Sequence, residues 1–189
     1  MARCYSDAMR ARQPLHSRPL PLLWLVSDAR NDAGLEQALK RLPRGSGLVF
    51  RHYHLDEAQR RARFAALARL ARSLGHRVVL SGTARQARRW RADGAYGSPE
   101  LLAQGPACLR LVTVHSLREM AKSRRADALL LSPVFATRSH PGARGMGPLR
   151  FRRIAAQARV PVLALGGMNG RRARMLAPHG WAAIDGLSP

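Results

Sequence analysis

The sequence predicts a small (β/α)8 barrel, a TIM barrel, on three observations. From Leu22 onward, eight short apolar runs alternate strictly with amphipathic segments, the signature of repeated βα units. The runs are continuously apolar, as in parallel strands covered by helices, and several end in polar or glycine residues, which gathers chemistry at the carboxyl rim of the sheet. No Gly-x-Gly-x-x-Gly turn follows the first run, and an open doubly wound sheet would usually need fewer strands.

Taken in order, residues 22–27 read as the first strand and 35–42 as the first helix. Residues 47–51 form the second strand, and Asp56 and Glu57 open the longest helix, through residue 74, with acidic groups suited to the positive end of its dipole. Strands at 77–81 and 94–96 are followed by helices at 84–91 and 99–104. The fifth strand spans 109–114; Ser116 caps the next helix, with Glu119 at its third position, a reciprocal arrangement that satisfies otherwise unpaired N–H groups. Residues 128–131, 160–165 and 181–184 complete the strands, with helices at 148–157 and 169–176. The helix that should follow the last strand is missing, since the sequence stops at Pro189. The N-terminal tail, the second subunit of a homodimer, or nothing covers that side of the barrel.

With 189 residues there is room for one domain, expected over residues 21–189. Residues 1–20 read as a flexible, Arg-rich tail without the apolar stretch of a secretory signal. No window is long and apolar enough for a membrane span, so no membrane partner is expected. Cys4 and Cys108 show no metal-binding spacing, which suits a reducing cytoplasm. The formal charge of +22 suggests nucleic acid at first. Only Lys40 and Lys122 of the 33 basic residues are lysine, however, and the arginines spread over nearly every helix instead of forming a patch. The charge is read as a solvated coat that favours small anionic ligands such as phosphate esters, and nucleic acid is not the expected partner.

Three pieces carry the chemistry: Val112-Thr-Val-His-Ser116, Leu131-Ser-Pro-Val-Phe-Ala-Thr137 and Val162-Leu-Ala-Leu-Gly-Gly-Met168. In order and spacing they resemble the thiamine phosphate synthase/TenI superfamily, over roughly residues 22–187. The resemblance implies the compact barrel above and a place in thiamine biosynthesis. It is closer to the TenI-like branch, in which the histidine of the first piece moves a proton across a thiazole ring. His115 occupies that position and is the candidate general acid/base, as suits a side chain with an unperturbed pKa of ~6.5. The implied ligand is a small phosphorylated thiazole or related ester.

Thr113 keeps a hydroxyl where the family has serine. Gly166 and Gly167 end the seventh strand, where absent side chains let backbone N–H groups approach a phosphate. Thr137, Ser139 and His140 match a Thr-x-Thr-Lys segment with the lysine replaced, and Arg138 or Arg144 could supply the charge that His140 supplies only in part. Asp185 falls near a position where relatives carry a small residue, and a carboxylate there repels phosphate unless it points away.

The synthase reaction of the family displaces pyrophosphate and needs Mg²⁺ ligands and clustered cations. For the cation run after the second strand this chain offers Phe50, His52 and His54, or Arg51 if the register slips by one. Ser81 and Gly82 stand where the family has an Asn-Asp pair, and Glu100 is the remaining acidic candidate. A magnesium–pyrophosphate site is therefore expected to be lost, and no cofactor is expected outside the synthase reading, which alone would call for Mg²⁺. His52 and His54 are expected on one side of the mouth as polar or ligand-contacting residues, with no metal between them and His115. The expected function is a TenI-like tautomerase; the alternatives are a thiamine phosphate synthase and a catalytically inactive phosphate-ester-binding or regulatory barrel.

Overall fold

The computed structural model describes residues 19–138, 142 and 144–187. The tail expected over residues 1–20, apart from its last two positions, and Ser139 and His140 lie outside the described residues. The strands β1 (Leu23–Val26), β2 (Gly47–Phe50), β3 (Arg77–Ser81), β4 (Gly94–Gly97), β5 (Leu109–Val114), β6 (Ala128–Leu131), β7 (Val162–Ala164) and β8 (Gly180–Ala183) close in sequence order into a parallel barrel. Closure is made by β8 on β1, with Leu23 opposite Trp181 and Leu25 opposite Ala183. Outside lie α1 (Leu35–Arg41), α2 (Glu57–Ser73), α3 (Ala84–Arg89), α4 (Pro99–Leu102), α5 (Leu117–Lys122), α6 (Gly147–Ala155) and α7 (Gly170–Leu176).

Alternation along each strand divides the core in two. Trp24, Val26, Val49, Val79, Leu111, Leu130 and Leu163 fill the barrel interior, while their neighbours Leu25, Leu48, Val78, Val112, Leu129 and Val162 pack outward against the helices. Each such buried aliphatic side chain contributes roughly 1.5–3 kcal/mol. The inner layer leaves no room for extra atoms: a Cβ on Gly47 would lie 2.2 Å from the Trp24 ring, whose Nε1–H donates to the Pro21 carbonyl at 2.7 Å.

Five of the described α-helices start at side-chain caps, while α1 and α6 follow Gly34 and Met146 without one. Asp56, Thr83, Ser98, Ser116 and Asn169 each accept a backbone N–H in the first turn of α2, α3, α4, α5 and α7. The helix expected over 99–104 stops after one turn because the buried Arg110 of β5 takes the carbonyls of Leu102, Gly105 and Pro106, at 3.1, 3.2 and 2.8 Å. The seventh strand, expected over 160–165, is trimmed to three residues.

One element was not expected, a 3-10 turn at Ala29–Gly34. Its sequence has no apolar period, and side-chain bonds hold it instead. The Asn31 side-chain oxygen accepts from the Asp28 N–H at 2.8 Å, and its amide donates to the carbonyls of Val26 (3.1 Å) and Ile184 (3.4 Å), joining the ends of β1 and β8. After β8 the chain forms a second 3-10 turn, Asp185–Leu187, pressed against the β7 side: a Cβ on Gly186 would lie 2.1 Å from the Met168 carbonyl.

Candidate functional site

The carboxyl ends of the strands surround a cavity of about 630 Å³. Its wall includes Thr113 and His115 from β5, Thr137 and Arg138 beyond β6, and Gly166 and Gly167 beyond β7. Inward parity explains this directly: Leu109, Leu111 and Thr113 share one face of β5, and His115 continues the series at its end.

The ring of His115 is oriented by backbone. Its Nδ1 lies 2.7 Å from the Ser132 carbonyl, which can only accept, so Nδ1 carries the proton and Nε2 is the basic nitrogen of the neutral ring. The His115 backbone N–H donates to Glu119 Oε2 at 2.9 Å while Ser116 Oγ accepts from the Glu119 N–H at 3.3 Å, so the start of α5 holds the histidine in place. Thr113 hydrogen-bonds the Tyr96 hydroxyl, whose pKa is nonetheless pushed up by burial.

At the end of β7, Gly166 and Gly167 have φ of +95° and +60°. Side chains there would strike the next loop: a Cβ on Gly166 would be 2.7 Å from Pro133 Cα, and one on Gly167 2.5 Å from the Ala136 carbonyl. The Gly167 carbonyl accepts from the Arg172 guanidinium, which also lies 4.6 Å from the centre of the Phe135 ring.

Charges run in alternation around part of the mouth. Arg138 and Arg30 lie 3.5 and 3.6 Å from Asp185; Arg30 also reaches Asp28 at 2.8 Å, and Asp28 meets Arg51 at 3.3 Å. For Asp28, burial works to raise the pKa, but the hydrogen bonds and charge of Arg30, with Arg51, outweigh it and hold the carboxyl below its usual range.

The structure corrects the reading of the segment after β2. Leu48, Phe50 and His52 share the outward face, so Arg51 and Tyr53 line the cavity and His52 and His54 do not. His52 adopts φ +43° and its buried ring stacks on Phe50, centroids 4.5 Å apart. Ser27 Oγ accepts the Arg51 N–H at 2.8 Å and meets His52 Nδ1 at 2.8 Å, while His52 Nε2 meets Asp32 Oδ1 at 2.8 Å. Burial pushes the His52 pKa down against the pull of Asp32, so the ring is neutral, with Ser27 O–H donating to Nδ1 and Nε2–H donating to Asp32. The turn carries Tyr53 over the mouth, where its hydroxyl bonds Ser81, and Arg60 ties β2 to β3 through the carbonyls of Arg51 and Ser81, both at 2.7 Å.

Asp32, His52 and His54 bring potential ligand atoms within 4.8 Å of one another, without His115. Both nitrogens of His52 are hydrogen-bonded, however, and Asp32 Oδ1 also accepts from Arg63 Nε at 2.8 Å. A guanidinium where a second cation would bind makes this an ion-paired support for the rim. Sequence reading missed Asp32 because it arrives on the unexpected 3-10 turn, Tyr96 because nothing in the fully buried β4 marks which face turns inward, and Tyr53 because it sits on the turn that follows β2.

Of the remaining candidates, Ser81 lines the cavity, whereas Glu100 lies outside it, 3.2 Å from Lys122. Gly82 has no side chain to offer. Among the described residues, no helix is long and apolar enough to cross a membrane.

Residues 23–188 match the family described as thiamine monophosphate synthase (TMP-TENI). Over 78 residues, 40% of this chain, the sequence is 33% identical to "Putative thiamine-phosphate synthase 2" of Aquifex aeolicus and 35% identical to the thiamine-phosphate synthase of Pyrococcus furiosus. The matched stretch spans 42% and 36% of those relatives. The thiamine phosphate pyrophosphorylase structure from P. furiosus superposes with a TM-score of 0.71 at 23% identity, over 88% of this chain and 86% of that one. A HpcH/HpaI aldolase/citrate lyase family protein from Burkholderia cenocepacia superposes at 0.60 with 17% identity, over 87% and 88%, which reflects the shared barrel alone.

Proposed function

The chain belongs to the thiamine monophosphate synthase family, and from that premise we propose that it is a TenI-like tautomerase acting on a thiazole phosphate-type ligand, with His115 as general acid/base. The observation that carries this reading is the orientation of His115. With Nδ1–H committed to the Ser132 carbonyl, Nε2 takes a proton from one carbon of the ligand and returns it at another, and the carbonyl steadies the imidazolium formed in between. Gly166 and Gly167 supply close-approaching backbone for the phosphate, and Thr113 and Thr137 supply hydroxyls to the wall. His115 thus needs no metal and no second substrate.

The synthase alternative meets a chemical obstacle. Mg²⁺ takes hard oxygen ligands. Gly82 offers none, Glu100 is paired outside the cavity, and the only carboxylate among the described cavity-lining residues is Asp185, already beside two arginines. These residues do not fit a magnesium–pyrophosphate group.

Proton exchange on thiazole phosphate carboxylate, followed by NMR, tests the proposal. Wild-type protein should catalyse exchange, and His115→Asn should lower turnover by roughly 10²- to 10⁴-fold with ligand affinity nearly intact. Binding without exchange in the wild type would favour the inactive barrel, and pyrophosphate release from the synthase substrates at an ordinary enzyme rate, on the order of 1 s⁻¹ or faster, would favour the synthase.

A further inference from the structure

We propose that Asp185 is a built-in competitor for the phosphate subsite, a carboxylate that occupies Arg138, a cation lining the same cavity, and thereby sets how strongly the cavity holds a doubly charged ligand. The inference rests on the phosphate-ester reading above and deepens it.

Three observations carry it. Asp185 lines the same cavity as Gly166 and Gly167. The short turn that bears it abuts the segment following those glycines, since a Cβ on Gly186 would be 2.1 Å from the Met168 carbonyl and 3.3 Å from Asn169 Cα. One oxygen of its carboxylate lies 3.5 Å from Arg138, which lines the cavity, and 3.6 Å from Arg30, which is not among the lining residues. The arrangement is that of an anion site whose anion is already covalently present.

An arriving phosphate meets two costs. It must draw Arg138 away from Asp185, and the carboxylate then remains beside it as a like charge. The first cost is met only by a ligand that needs the cation and the second grows with ligand charge, so Asp185 disfavours a dianionic phosphate more than an uncharged ligand of the same skeleton. Arg30 retains Asp28 as a second partner at 2.8 Å, so it can leave Asp185 without being stranded.

The test is a gain of binding, which misfolding cannot imitate. Isothermal titration with inorganic phosphate and with thiazole phosphate carboxylate would compare wild type with Asp185→Asn, which keeps the shape, and Asp185→Ser, which opens the subsite. Both variants should bind the phosphorylated probes roughly tenfold more tightly, and Arg138→Ala should weaken binding more in the Asp185→Asn background than in the wild type. Equal or weaker binding by both Asp185 variants, with the wild type still binding, would overturn the inference and leave the phosphate-ester reading standing. No binding of either probe by any form would overturn that reading and the inference with it, while binding by the variants alone would support the inference in its strongest form.

Discussion

His52 is a neutral histidine held in a charged neighbourhood, and that fixes a pH response. It faces Asp32 from the 3-10 turn, Arg63 from α2 and His54 from its own segment, and burial dominates, holding its pKa below the ordinary value. In the unfolded chain the same residue would take a proton near pH ~6.5, so the unfolded state binds more protons and stability falls as pH drops through that value. Asp32 acts in the same sense at lower pH. Burial would raise its pKa, but hydrogen bonds from His52 and Arg63 prevail, so its stabilisation is present above the usual carboxylate range and lost as pH falls through its depressed value. Urea-unfolding midpoints measured from about pH 7.5 to about 5.5 should therefore decline in the wild type and decline less steeply in His52→Gln. An identical slope in the variant would mean that another group governs this window.

At the scale of elements, the capped short helices depend on their first turn. The six-residue α5 is too short to be stable by propensity, so the bond from the Glu119 N–H to Ser116 Oγ, at 3.3 Å, matters out of proportion. Ser116→Ala should cost about 1 kcal/mol in a denaturant titration. A loss below a few tenths of that would show that packing alone holds the helix. The starts at Asp56 and Ser116 were legible in the sequence because a capping side chain precedes the amphipathic period, whereas α1 and α6 begin after Gly34 and Met146 without one. The rim after β2 was not legible. Gly47-Leu-Val-Phe50 is buried on both faces, so its residues give no polar alternation to say that Val49 points inward and hence that Arg51, not His52, follows it into the cavity. The turn at Ala29–Gly34 was equally hidden, because its order comes from Asn31 bonding to the backbone of two strands at opposite ends of the chain. His115, Thr137, Gly166 and Gly167, by contrast, each terminate or follow an apolar run, and the barrel carries them to one wall.

For the whole molecule, the eight-fold alternation was the legible part, since each apolar run is a strand and closure follows from their number and order. Among the described residues, many of the arginines behind the charge of +22 lie outside that frame, such as Arg61, Arg69, Arg85, Arg88 and Arg171, exposed along α2, α3 and α7. Such a coat should bind DNA or RNA weakly and without sequence preference, with affinity falling steeply as salt rises. Submicromolar binding to one defined sequence at physiological salt, in a filter or polarisation assay, would point to a dedicated nucleic-acid surface instead. The two-layer core has a bearing on this. Because the sheet stands between the inner residues around Trp24 and the outer layer under the helices, the exterior is insulated from the interior. These exposed positions are therefore free to vary: exchanging Arg61, Arg69, Arg85, Arg88 or Arg171 for lysine or glutamate would alter solubility and the field felt at a distance, while the packing beneath His115 and Gly167, and the rim contacts of Arg60, Arg63 and Arg172, would be untouched. Colloidal behaviour and pocket packing are, at those exposed positions, two separately adjustable properties.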